Sequence, residues 1–117
     1  MLSMTAYKRG EIVLVPFPFS NQTATKKRPA VIVSSDAYND TSSDIVIMAV
    51  TSQIEKTFEI GACLIKDWKA SRLLKQSSIK PAISTIEQAL VLRKLGDLSS
   101  EDIISMENAL KKLLNLG

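Results

Sequence analysis

The chain has 117 residues, 45% of them hydrophobic, with one cysteine, no histidine and a formal net charge of +3. That length suits one domain, 1–117, whose core needs neither disulfide nor metal. The absence of histidine excludes a His–His ribonuclease, a Ser–His or Cys–His triad and a histidine-based metal site, so any chemistry falls to Arg, Lys, Glu, Asp, Tyr or hydroxyl groups.

The mild positive charge permits a nucleic-acid partner without requiring one. Cys63 lies between Ala62 and Leu64 and reads as a buried, inert thiol. A lone cysteine fits a reducing cytoplasm, the expected compartment. No apolar run approaches the ~18 residues that span a membrane. Residues 1–10 carry no apolar stretch followed by a cleavage site.

In chain order, residues 1–9 are polar and expected to fray, with Lys8 and Arg9 adding charge. Residues 11–15 predict a first strand. Pro16 and Pro18 then interrupt pairing, and Phe17 and Phe19 read as core anchors at a strand leaving a sheet edge. Residues 20–27 form a polar connection. Residues 29–34 predict a second strand, residues 45–50 a third, fully apolar and so central. A helical turn is expected near Ala37-Tyr38. Asp36, Asp40 and Asp44 have the wrong spacing for an EF-hand and read as turn residues.

Residues 58–65 predict a fourth strand, and Asp67 opens a helical turn reaching Leu74. Residues 77–81 and 83–86 read as two short strands separated at Pro81, and residues 89–95 as the last. Ser99 or Ser100 caps a terminal helix with Glu101 and Asp102 in its first turn. Ile103, Met106, Leu110, Leu113 and Leu114 share one face at helical spacing. No internal repeat or linker is present. The fold class is mainly β with a C-terminal helix, a small barrel or curled antiparallel sheet.

The chemistry is expected around Lys26-Lys27-Arg28-Pro29, where three cations run into a strand. Alone, this stretch reads either as a solvated loop end or as a phosphate site. Pro29 biases Arg28 towards extended backbone. If the second and third strands pair antiparallel, Arg28 meets Thr51 and Ser52. Such a site suits a phosphodiester. RNA can be cleaved without a metal when its own 2′-OH attacks the adjacent phosphorus. Arg28 would contact phosphoryl oxygens bidentately and stabilise the extra charge of the transition state. A guanidinium has no acceptor and is a poor base, which leaves it leaving-group protonation as a further role. Thr51 and Ser52 would donate hydrogen bonds. Glu11 qualifies as base only if the fold brings it close. Trp68 reads as core rather than as a base-stacking platform.

Several stretches, in this order, resemble the MazF/PemK toxin family: Gly10-Glu11-Ile12-Val13-Leu14-Val15, Lys27-Arg28-Pro29-Ala30-Val31-Ile32-Val33-Ser34, Ala49-Val50-Thr51-Ser52, Asp67-Trp68, Ser77-Ser78-Ile79-Lys80-Pro81 and Arg93-Lys94-Leu95-Gly96-Asp97-Leu98-Ser99. The likeness runs over residues 8–114. It implies an SH3-like barrel and a homodimer. It implies a metal-independent, cofactor-free endoribonuclease acting on single-stranded RNA, the toxin of a type II toxin–antitoxin system. It implies a cognate antitoxin that covers the RNA site, with DNA met only through that antitoxin. The family's catalytic arginine and strand-end threonine fall on Arg28 and Thr51, and Lys26, Lys27, Ser52 and Thr25 become RNA-binding candidates. Two departures stand out. Lys26 occupies a position commonly held by a small residue, and Asn21, Gln22 and Thr23 occupy a loop that is acidic in some members. The base and the cut sequence therefore stay unassigned. Two readings compete with a ribonuclease: a non-catalytic module of the same fold that binds nucleic acid or protein, and a small structural subunit.

Overall fold

Consecutive apolar, mostly β-branched residues give the central strands two apolar faces, because successive side chains point to opposite sides, and the sheet carries a buried cluster on each. The structure is a computed structural model that describes residues 7–17, 26–56 and 59–117. Its strands are β1 (Glu11–Phe17), β2 (Lys26–Ile32), β3 (Asp44–Thr51), β4 (Cys63–Ile65), β5 (Ser77–Glu87) and β6 (Arg93–Asp97), with helices α1 (Asp36–Thr41) and α2 (Ser100–Leu114). One sheet runs in the order β4-β5-β3-β2-β1-β6, and every neighbouring pair is antiparallel.

One face gathers Val13, Val15, Phe17, Ala30, Ile32 and Ile47. The other sets Ile12, Val31, Met48 and Ile79 against Met106 of α2, with Trp68, Ile103 and Leu110 packed around them. The curled sheet with its C-terminal helix is the architecture expected from the sequence. Among the described residues no helix is long and apolar enough to cross a membrane.

Several boundaries differ from expectation. β1 continues through Pro16 to Phe17, with Pro16 opposite Lys27. The β1–β6 ladder ends at Leu14, so beyond it Pro16 stands on an edge where a missing N–H is tolerated. Pro18, Phe19 and the loop over 20–25, Thr25 included, lie outside the described residues. β2 begins at Lys26, which places all three cations on a strand. Residues 77–87 form one strand, not two. Lys80, Pro81 and Ala82 face Ala49 alone where the β3–β5 register shifts, a bulge that accommodates the proline. β4 is confined to Cys63–Ile65, and Phe58 lies outside the described residues. The segment over 66–76 makes one helical turn's bond, the Ser71 N–H donating to the Asp67 carbonyl at 3.0 Å, and then continues in turns and bends rather than as helix to Leu74. Residues 88–90 form a 3₁₀ turn, and the last strand starts at Arg93.

Ser99 caps α2, its Oγ accepting the Asp102 N–H at 3.2 Å. Asp102 does more than favour the dipole. It is 1% exposed, and its carboxylate accepts the N–H groups of Lys66 at 3.0 Å and Asp67 at 2.9 Å. Leu114, expected on the packed face, is 51% exposed near the helix end.

Candidate active site

The β2–β3 ladder pairs Ile32 with Ile47, Val31 with Met48 and Ala30 with Ala49, and it stops there. The next residue of β2 is Pro29, which has no N–H to donate. Continuing the register by two sets Arg28 opposite Thr51, the juxtaposition expected from antiparallel pairing. By strand alternation both sit on the face of Ala30 and Ala49. Arg28 remains fixed on its other side, opposite Val15 of β1. Thr51 is fixed opposite Ser78 of β5. Two anchored strands thus part at their ends and present a guanidinium and a hydroxyl.

Both side chains are half-buried. Thr51 Oγ1 accepts the Gln53 N–H at 3.1 Å, which leaves its own hydrogen to donate elsewhere. Ser52 is exposed beside it. Arg28, Thr51 and Ser52 all border two hollows. The larger, about 650 Å³, is completed by Arg72, Lys75 and Arg93, over walls formed by Leu14, Pro29 and Leu95. The smaller, about 160 Å³, is completed by Gln53 and Lys80. No carboxylate is among the described lining residues of either. Glu59 borders a third cleft, on Thr51 and Lys80, of about 10 Å³, too small for a ligand. Among the described residues no three His, Cys, Asp or Glu side chains gather as a metal site.

Lys26 and Lys27 stand exposed on β2, outside both hollows. Glu11 does not reach the site. It begins β1, accepts the Lys8 N–H at 3.0 Å and pairs with Lys94 Nζ at 3.2 Å. Lys94 also pairs with Asp97 at 3.1 Å, and these contacts, Asp97 foremost, raise its pKa. Its charge is largely answered within the fold. Trp68 is half-buried in the helix-side core with Lys69 Nζ 5.4 Å from its ring. Cys63 is half-buried, and desolvation, aided by the charge of Asp102, pushes its thiol up to about 11.

The residues that sequence reasoning missed are Arg72, Lys75, Arg93 and Lys80. Arg72 has a φ of 68°, the left-handed region that non-glycine residues seldom adopt. The segment before it is clamped. A Cβ on Gly96 would lie 1.9 Å from the Ser71 carbonyl oxygen, so only glycine lets β6 and this segment approach so closely. Ser71 is fully buried, and its hydroxyl has no hydrogen-bond partner among the described residues. The only trace of this arrangement in the sequence is the glycine that interrupts Lys94-Leu95-Gly96-Asp97.

Such a site offers positive charge, hydroxyl donors and an adjoining hollow with apolar walls, which suits a phosphodiester carrying bases. Residues 8–114 match the family of PemK-like, MazF-like toxins of type II toxin–antitoxin systems. The chain belongs to this family. It is 30% identical over 115 residues to Endoribonuclease MazF9 of Mycobacterium tuberculosis, covering 93% of this chain and 97% of that relative. It is also 30% identical over 112 residues to Endoribonuclease MazF of Staphylococcus epidermidis, covering 94% and 92%. The fold is similar to a mycobacterial endoribonuclease solved in complex with its cognate antitoxin, with a TM-score of 0.74 at 19% identity over 97% of this chain and 98% of that one. It is likewise similar to the MazE–MazF structure from Deinococcus radiodurans, with a TM-score of 0.73 at 16% identity over 97% and 100%. This MazF-like chain therefore shares the sheet-and-helix fold of solved toxins.

Proposed function

We propose that this MazF-like toxin cleaves single-stranded RNA with Arg28 and Thr51 at the scissile phosphate. The observation that supports the reading is that Arg28 and Thr51 border the same two hollows just beyond the end of the β2–β3 ladder. The RNA 2′-oxygen forms a bond to phosphorus and the P–O5′ bond breaks. The 2′-OH proton is lost, and the departing 5′-oxygen gains one. The products are a 2′,3′-cyclic phosphate and a 5′-hydroxyl. Arg28 holds two phosphoryl oxygens and stabilises the added charge, while Thr51 and Ser52 donate hydrogen bonds. Arg28 also gives the leaving oxygen its proton in this reading. Lys26, Lys27 and Thr25 hold the RNA backbone next to the site. No carboxylate is among the described lining residues to take the 2′-OH proton, so the base is not assigned. The toxin works in the cytoplasm as a homodimer, and its cognate antitoxin silences it by covering the Arg28 site. The antitoxin complex of a fold relative supports that partner.

Incubation with a long single-stranded RNA in EDTA tests this. The parent is expected to cut, and Arg28→Ala to lose at least ~10²-fold, as when one transition-state donor is removed. Equal cleavage by both proteins removes Arg28 from the mechanism.

A further inference from the structure

The larger hollow is more than a continuation of the phosphate site. Its about 650 Å³ falls within the ~300–1,000 Å³ of ligand pockets, whereas the smaller hollow does not. Leu14, Pro29 and Leu95 give it apolar walls on which a ring can lie. Its charged side chains only donate. Arg and Lys have no acceptor, and no Asp or Glu is among its described lining residues to receive an exocyclic amine. The Thr51, Ser52 and Ser77 hydroxyls keep lone pairs, Ser77 Oγ having given its hydrogen to the Lys75 carbonyl at 2.9 Å, so the bias towards donors lies in the charged groups. Lys94 is occupied by Glu11 and Asp97. With Arg28 given to the phosphate, Arg72 and Arg93 are the guanidiniums facing this space.

Arg93 is held opposite Leu14 in the β1–β6 ladder, and Arg72, although it lies exposed in a turn, is held by its backbone too. The close contact of Gly96 with Ser71 and the left-handed backbone at Arg72 set the point from which its side chain starts. Strained backbone of this kind persists where the surroundings over-determine it. A wall whose charged groups all donate favours bases whose edges present acceptors. Guanine offers O6 and N7 to one arginine fork, and uracil offers O4 as a single carbonyl acceptor. Adenine and cytosine place an amino group at the matching position, which a guanidinium meets only as a second donor.

We propose that the hollow between β2, β6 and the 66–76 segment is a recognition subsite for a keto base, guanine or uracil, next to the scissile phosphate, with Arg72 as its reader. The proposal rests on the RNA-cleaving reading for its context, and its test does not. Pentanucleotides of 2′-O-methyl uridine, inosine, adenosine or cytidine lack the attacking hydroxyl, so their binding is read apart from cleavage. The uridine and inosine oligomers are expected to bind at least ~10-fold tighter than the other two, the discrimination of about one bidentate contact. Arg72→Gly suits the positive φ and removes the guanidinium, while Arg72→Lys keeps the charge and loses the fork. Both are expected to reduce the keto preference to below ~3-fold, with thermal unfolding confirming that they fold. Equal or tighter binding of the adenosine or cytidine oligomer overturns the subsite. A preference unchanged in both variants overturns the role of Arg72. Keto-selective binding without cleavage of the unmodified RNAs upholds the subsite and sinks the ribonuclease reading; cleavage without keto selectivity does the reverse.

Discussion

Asp102 shows how one side chain can serve two elements. It lies in the first turn of α2, yet it is buried and accepts two backbone N–H groups from the segment after β4. Removing it leaves those donors unpaired in the interior. Asp102→Ala is expected to lower stability by about 1–3 kcal/mol, read as a lower melting temperature. Cys63 gives a pH signature. Its thiol is pushed up to about 11, so above its ordinary 9.0 the unfolded chain loses the proton first. The folded state then binds more protons, and stability falls as pH rises from 9 to 11. Cys63→Ala is expected to flatten that decline in urea titrations across this window. A slope unchanged by the substitution removes Cys63 as its source.

At the scale of elements, the sequence revealed which strands form and concealed where they bend. The apolar run of β3 and the polar cap of α2 were legible because each is a local pattern. Pro81 looked like a break because proline cannot pair. In three dimensions it sits in a bulge, where three residues face one. The Arg28–Thr51 pair was legible for a different reason: both stand at ends of consecutive strands, and antiparallel pairing unites such ends. Arg72 and Arg93 were not, because they meet only when the 66–76 segment folds over to β6. That closure hangs on Gly96. Gly96→Ala places a methyl against the Ser71 carbonyl. A loss of about 1–3 kcal/mol is expected by urea denaturation. Base selectivity should fall further than cleavage, because the displaced wall carries Arg72 and not Arg28.

For the whole molecule, the net charge of +3 is modest, and what matters is its placement. Lys26 and Lys27 stand beside Arg28 on β2 without bordering either hollow. They are expected to act on the backbone of RNA and not on its chemistry. For single strands the logarithm of affinity falls with that of salt by ~0.7 per phosphate neutralised. The Lys26→Gln, Lys27→Gln double variant should reduce that slope by about 1.4. Cleavage at saturating RNA should stay well above that of Arg28→Ala. A slope identical to the parent's excludes both lysines from RNA contact. The proposed homodimer has its own test. α2 leaves Ile104 57% and Leu114 51% exposed, apolar surface that a second copy can cover. Sedimentation at micromolar concentration is expected to give a dimer, and a monomer there counts against an obligate pair.

The early end of the β2–β3 ladder has a consequence for how such a toxin diversifies. Arg28 and Thr51 are set by sheet register, which tolerates little change. In the opposite wall Trp68, Ser71 and Leu73 are tied into the fold, while Arg72, Leu74 and Lys75 are exposed on turns, where substitutions are tolerated far better. A lineage can therefore vary those exposed positions and change which RNAs it destroys while leaving the cutting edge untouched. Exchanging those positions between relatives is the direct laboratory form of the same experiment.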